Sequence, residues 1–89
     1  MGLEMVEIVL CLEKYFQAQI PDSAASQCNT VVDLQQVIID LLVLQGMPRT
    51  DGLRQEVWQG MMSVLRIQGY DTGSIVPDSR WVGDITDYG

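Results

Sequence analysis

Three stretches of the chain carry apolar residues at helical spacing. From Leu3 to Phe16, the residues Met5, Ile8, Val9, Leu12, Tyr15 and Phe16 recur every three or four positions and form one apolar face, with Glu4, Glu7 and Glu13 largely on the remainder. "QIPD" is expected to stop this helix, because Pro21 disfavours a helical conformation at Ile20. Residues 22 to 29, "DSAASQCN", read as a loop with room for one helical turn. Thr30 announces the next helix, with Asp33 three residues on, close to a capping box. In the run "VVDLQQVIIDLLVL", Val31, Leu34, Val37, Ile38, Leu41 and Leu42 share a face, and Gly46 with Pro48 ends it. The third strong helix follows "PRTD", where Thr50 or Asp51 caps it. Leu53, Val57, Trp58, Met61, Met62, Val64 and Leu65 give it a wide apolar stripe, and Gly69 closes it. Gly60 inside this helix costs roughly 1 kcal/mol relative to Ala, and a close helix contact would explain it.

The connection from Leu44 to Leu53 is short, so the second and third strong helices are expected to be antiparallel neighbours. The remainder, "YDTGSIVPDSRWVGDITDYG", reads as a long, partly ordered loop that anchors Ile75, Val76, Trp81, Val82 and Ile85 in the core. The fold class is all-α, a small four-helix bundle in a single domain, residues 1–89.

Composition narrows the function classes. Eighty-nine residues lie near the low end of what one apolar core can hold up. No apolar run reaches the roughly 18–20 residues that span a bilayer. No basic segment precedes an apolar one, so no signal peptide is expected and the cytoplasm is the expected location. Twelve acidic residues face five basic ones, with no histidine and a net charge of -7. That balance argues against nucleic acid and favours a basic partner surface or plain solubility. Cys11 and Cys28 form no CxxC, and without histidine they are too few for a structural zinc site. Cys11 reads as a small core residue and Cys28 as exposed, both reduced.

Catalytic constellations are absent. Ser-His-Asp and Cys-His arrangements need a histidine that the chain lacks. No GxGxxG or GxxxxGK[ST] loop is present to cradle phosphate. "DTGS", residues 71 to 74, matches the aspartic protease signature, but those enzymes need two such aspartates on β-rich lobes, and this chain is small and helical. Met47, Met61 and Met62 read as core filler. No enzymatic activity is expected.

Residues 3 to 44, "LEMVEIVLCLEKYFQAQIPDSAASQCNTVVDLQQVIIDLLVL", match in order a pattern S-L-[DE]-x-[VI]-E-[LIV]-V-x-x-[LI]-E-x-x-F, then "IPD", a small helix, and "T-V-x-D-[LA]". The matching residues are Leu3, Glu4, Val6, Glu7, Ile8, Val9, Leu12, Glu13, Phe16, Ile20, Pro21, Asp22, Thr30, Val31, Asp33 and Leu34. This pattern is that of the second half of an acyl carrier protein, which the segment resembles. "LRQEVWQGMMSVLRIQGY" and "VPDSRWVGDI", within residues 53 to 85, resemble the first half of the same family. The chain therefore resembles a circularly permuted carrier domain. Residues 1–46 stand for the family's second half and 51–89 for its first, giving helices II-III-IV and then helix I with the long loop. A piece of a tandem carrier array, the back of one domain and the front of the next, gives the same order. Permutation is physically tolerable where the original termini lie close together at the surface.

The resemblance implies a carrier role in fatty-acid, polyketide or related thioester biosynthesis. It places the 4'-phosphopantetheine attachment serine at Gly2, or at Gly89 if the join is counted from the other end, and neither has a hydroxyl. The serines at 23, 26, 63, 74 and 79 align elsewhere. The chain as written is thus expected to hold no cofactor, while a serine-containing parent would carry the arm. The resemblance also implies that Leu3, Glu4, Met5 and Glu7 dock the basic surfaces of acyl-transfer or synthase enzymes. Read from the residues alone, Glu4 and Glu7 complement a helix dipole by about 0.3–1 kcal/mol, and Leu3 and Met5 pack in a core. The alternative function is a non-carrier interaction module or a domain-swapped bundle that keeps the fold only.

Overall fold

The computed structural model describes residues 3–86. Helix α1 spans Leu3–Phe16, α2 Asp22–Ser26, α3 Val31–Leu44 and α4 Asp51–Ile67, and a 3-10 turn follows at Thr72–Ser74. No β-strand forms among the described residues, so the fold is all-α, a small helical bundle. No described helix is long and apolar enough to cross a membrane.

The helix boundaries follow from the chain's own chemistry. Thr30 caps α3 through the expected box: its hydroxyl accepts from the Asp33 N–H at 3.4 Å, and the Asp33 carboxylate accepts from the Thr30 N–H at 3.1 Å. Of the two candidates for α4, Thr50 is the cap, accepting from the Leu53 N–H at 3.1 Å. Helices α3 and α4 close with the same device. The N–H of Gly46 bonds Val43 and that of Met47 bonds Leu42, while the N–H of Gly69 bonds Arg66 and that of Tyr70 bonds Leu65. Both glycines take left-handed φ, 106° and 96°, which is the geometry that ends a helix in this way. Helix α1 ends earlier than Pro21 requires. Gln17 adopts φ 53° and the Ala18 N–H reaches back to the Glu13 carbonyl, so a left-handed residue stops the helix and Pro21 instead caps α2.

Helix α4 is the centre of the bundle, packing on both α1 and α3. Met5, Ile8, Val9 and Leu12 of α1 meet Leu53, Val57, Met61, Val64 and Leu65 of α4 and Val31, Leu34, Ile38 and Leu42 of α3 in one core. Gly60 lies directly against the end of α1. A Cβ there would lie 2.6 Å from Phe16 Cζ and 2.7 Å from Tyr15 Cε1. The two rings meet edge to face at 4.9 Å above it.

The segment after Gly69 is more ordered than its composition suggests. Trp81 is 1% exposed and its indole N–H donates to the Thr30 carbonyl at 2.8 Å. The first free N–H groups of α3, on Val31 and Val32, donate to the carbonyls of Ser79 and Pro77. The C-terminal segment thus supplies acceptors that a helix start otherwise lacks. The radius of gyration, 12.1 Å, matches the roughly 12 Å of a compact domain of this length, so this segment lies against the bundle.

Several positions differ from the sequence pattern. Val76 and Val82 are exposed, whereas Ile75, Ile85 and Trp81 do reach the core. Tyr15 is half-exposed because it covers Gly60 from outside, and Met47 is exposed beyond the end of α3. Cys28 is half-buried against the core, since its thiol turns inward to donate to the Ala24 carbonyl at 3.3 Å. Cys11 and Cys28 are both free thiols. Gln35, a polar residue, is buried because its amide donates to the Arg54 carbonyl of α4 at 3.0 Å.

Candidate functional site

The candidate site is the outer face of α1 and the clefts that flank its first turns. Met5, Ile8, Val9 and Leu12 turn inward as the apolar period predicts, while Leu3, Glu4, Glu7 and Leu10 face outward, so Leu3 does not pack in the core as its apolar side chain suggested. Leu3 is 77% exposed, the largest exposure among the α1 apolar residues, and Leu10 lies further along the same helix. Glu4 and Glu7 are exposed beside them, so this face alternates apolar and acidic groups. Met5 is instead a core residue and offers almost no surface to a partner, although its edge lines one cleft. Gly2 and Gly89, the positions aligned with the attachment serine, lie outside the described residues.

Two clefts border this face. One, about 600 Å³, is enclosed by Met5 of α1, Ala25 and Ser26 of α2, and Cys28, Arg80, Trp81 and Val82 of the connecting segments. The other, about 410 Å³, lies between α1 and α2 along Val6, Val9 and Leu10, with Ser23 and Ser26 on its far wall. Glu13 also lines this second cleft, but its carboxylate accepts the Ile20 N–H at 2.8 Å and so holds the α1–α2 connection.

The electrostatics of the face are set by its neighbours. The Tyr70 phenol is pushed above its ordinary value first by burial and then by the nearby charges of Glu4 and Glu7, so it stays protonated and available to donate to Glu4. The Gln68 side chain donates to the Glu7 carbonyl at 3.5 Å and to Cys11 Sγ at 3.2 Å, fixing α1 to the end of α4. In the larger cleft, burial and the charge of Asp33 raise the Cys28 thiol. It is therefore a poor nucleophile at neutral pH. The described residues place no group of three histidine, cysteine or carboxylate side chains where a metal could be held. This arrangement suits binding: an acidic, partly apolar helix face beside two clefts.

The 4'-phosphopantetheine arm needs a hydroxyl for its phosphodiester, and the position aligned with the attachment serine has none. Position 2 is glycine. Three of the aligned-elsewhere serines have local structural roles. Ser26 donates to the Ser23 carbonyl, Ser74 to the Asp71 carbonyl, and the Ser79 hydroxyl accepts from the Val76 N–H while 8% exposed. "DTGS" forms a tight turn in which Asp71 accepts from the Gly73 N–H at 3.0 Å.

Tyr70, Gln68 and Arg80 were not marked as site residues by the apolar periodicity. Tyr70 and Gln68 flank the helix-ending Gly69, and Arg80 sits in a segment without regular pattern, so only the three-dimensional closure brings them to α1. By its geometry the molecule is a small acidic helical bundle. No protein-family model, curated protein or solved structure matches the chain.

Proposed function

We propose that the chain is an acyl carrier-like domain in permuted order, with its attachment position occupied by Gly2. In this reading it engages the basic surfaces of thioester-handling enzymes in the cytoplasm through Leu3, Glu4 and Glu7. It does not itself carry an acyl group. The observation that carries the proposal is the ordered resemblance of residues 3 to 34. It is supported by an α1 that begins at Leu3, exposes those three side chains, and is flanked by clefts on both sides of its first turns. A negative helix face is the charge complement of a basic protein surface and steers association. The glycine at position 2 favours a second reading, an interaction module that keeps the carrier fold without carrier chemistry.

The test is intact mass after incubation with coenzyme A and a promiscuous phosphopantetheinyl transferase, on the chain as it is and on Gly2→Ser. The expected result is no mass gain for the first and a gain of one phosphopantetheine for the second, both folded by circular dichroism. Failure of folded Gly2→Ser to gain mass would overturn the carrier reading and leave the interaction module. A gain without the substitution would place the attachment at another serine.

A further inference from the structure

The surface of α4 beside α3 and the C-terminal segment carries a second feature that the carrier reading does not use. Two clefts, about 610 and 550 Å³, adjoin one another there and share Trp58 and Gln59. Their apolar floor is Val32, Trp58, Met62 and Pro77. Trp58 is partly buried, packed against the core, and lines both clefts. Arg54 lines one end and Arg66 the other, twelve residues apart, about 18 Å along a helix axis.

The charge of this strip is the reverse of the chain's. The protein carries twelve acidic side chains against five basic ones, yet among the described residues no carboxylate lines either cleft and two of the five cations do. Those two guanidiniums are spent on neutral partners: Arg54 donates to the Gln36 side chain at 3.3 Å and Arg66 to the Thr72 hydroxyl at 3.3 Å. The ion pair recorded among the described residues, Arg49 with Asp40, lies elsewhere. Gln55 and Gln59 add amide donors and acceptors beside the ring.

We propose that this strip docks an acidic peptide segment of another protein, with an aliphatic side chain set on Trp58 and carboxylates reaching Arg54 and Arg66. The chemistry of the strip selects that occupant. Guanidiniums bonded to neutral oxygens gain by exchanging them for carboxylates, which they hold in charge-assisted, two-pronged geometry. A basic segment would meet two like charges and find no carboxylate to pair with. A purely apolar one would leave both guanidiniums and the glutamine amides facing its hydrocarbon. The net charge of -7 opposes an acidic ligand at long range, so the attraction is local and the complex is salt-sensitive and modest in affinity.

The whole chain supplies the assay. Probes are three synthetic helical peptides with a central leucine pair, identical except that the flanking residues are all Glu, all Gln or all Lys. Binding is read by amide and indole chemical shifts and by tryptophan emission, in which Trp58 is open and Trp81 is buried. The Glu peptide is expected to shift signals at residues 54 to 66 and the Trp58 indole. Its affinity should fall roughly tenfold in Arg54→Gln/Arg66→Gln, the sum of two rim charge pairs. Both arginines are exposed, and the double variant is checked for an unchanged melting temperature. Trp58→Leu keeps the charges and is expected to weaken the Glu peptide while retaining its salt dependence. Equal binding of the Glu and Gln peptides, preference for the Lys peptide, or shifts confined to α1 would each overturn the proposal. Concentration-dependent association in sedimentation, abolished by the same arginine substitutions, would overturn it in favour of a second copy.

Discussion

The contact beneath Tyr15 and Phe16 sets two known effects against each other at Gly60. Alanine in a helix interior is about 1 kcal/mol more favourable than glycine, so Gly60→Ala taken as a helix substitution should stabilise. The structure predicts the opposite sign. The new Cβ would stand 2.6 Å from Phe16 Cζ and 2.7 Å from Tyr15 Cε1, where carbon atoms rest at about 3.5–4.0 Å. The rings must retreat by about 1 Å. Tyr15 is half-exposed and can swing away, but Phe16 is wedged against the core. Overpacking of this kind costs about 1–3 kcal/mol. Subtracting the helix gain leaves a net loss of about 0–2 kcal/mol, a fall of about 4–8 °C in melting temperature for each kcal/mol lost in a domain of this size.

The assay is urea and thermal denaturation followed at 222 nm, run as a double-mutant cycle. Phe16→Leu with Tyr15→Ala removes the ring atoms that the methyl would meet. In that background Gly60→Ala is expected to stabilise by about 1 kcal/mol, so the sign of the same substitution reverses. Stabilisation by Gly60→Ala in the unmodified chain, or the same effect in both backgrounds, would refute the argument. The first result would mean that the rings yield without cost, the second that nothing couples α1 and α4 at this point.

Two further perturbations address the junction between the C-terminal segment and α3. Trp81→Phe loses the bond to the Thr30 carbonyl and leaves a void, and should cost about 1–3 kcal/mol in denaturant melts. The same variant should speed amide exchange at Val31 and Val32, whose acceptors are Ser79 and Pro77. Unchanged exchange there would show that the segment holds its place without the indole. Asp33 tests the cap by pH. Its carboxyl lies below the ordinary value, first because the backbone N–H groups of Thr30 and Asn29 donate to it. The folded state therefore binds a proton less readily than the unfolded one. The contribution is complete above the unfolded value near pH 4 and disappears as pH falls through the lower folded value. Asp33→Asn should thus be less stable than the unmodified chain at pH 6, with the gap narrowing from about pH 4 downward; a gap constant from pH 6 to pH 2 would exclude the carboxylate as its source.

How much of this was legible in the sequence differs by element. The three long helices, the Thr30 box and the closures at Gly46 and Gly69 rest on local chemistry, and each appears at the expected residues. The stripe on α4 was equally legible, because its residues sit at helical spacing regardless of what covers them. Gly60 was legible as an anomaly with a packing cause, but not its partners, since Tyr15 and Phe16 lie more than forty positions away. The end of α1 at Phe16 was legible but its cause was not: Gln17 takes a positive φ and the Ala18 N–H bonds the Glu13 carbonyl before Pro21 is reached. The segment after Gly69 was the least legible. Its order comes from carbonyls that accept from the first N–H groups of α3, a non-local pairing with no periodic signature, so Val76 and Val82 looked equivalent to Trp81 although of the three only Trp81 is buried.

The candidate site shows the same division, and it separates the two surfaces. Leu3 and Met5 both read as core residues from their apolar character, and the fold separates them: Leu3 faces outward with Glu4 and Glu7, and Met5 alone is buried, so four neighbouring residues divide into three available to a partner and one that is not. Substituting Met5 would therefore report on the core. Substituting Glu4 and Glu7 would report on charge and would bring the Tyr70 phenol, raised first by burial and then by these two charges, closer to its ordinary value. The strip on α4 needed the fold, because Val32 and Pro77 reach Trp58 from α3 and from the C-terminal segment. The acidic face of α1 and the arginine-ended strip of α4 share no lining residue, and they ask for partners of opposite charge. A single partner that neutralised one would be repelled by the other, so the two surfaces can be separated experimentally by charge reversal on one of them alone.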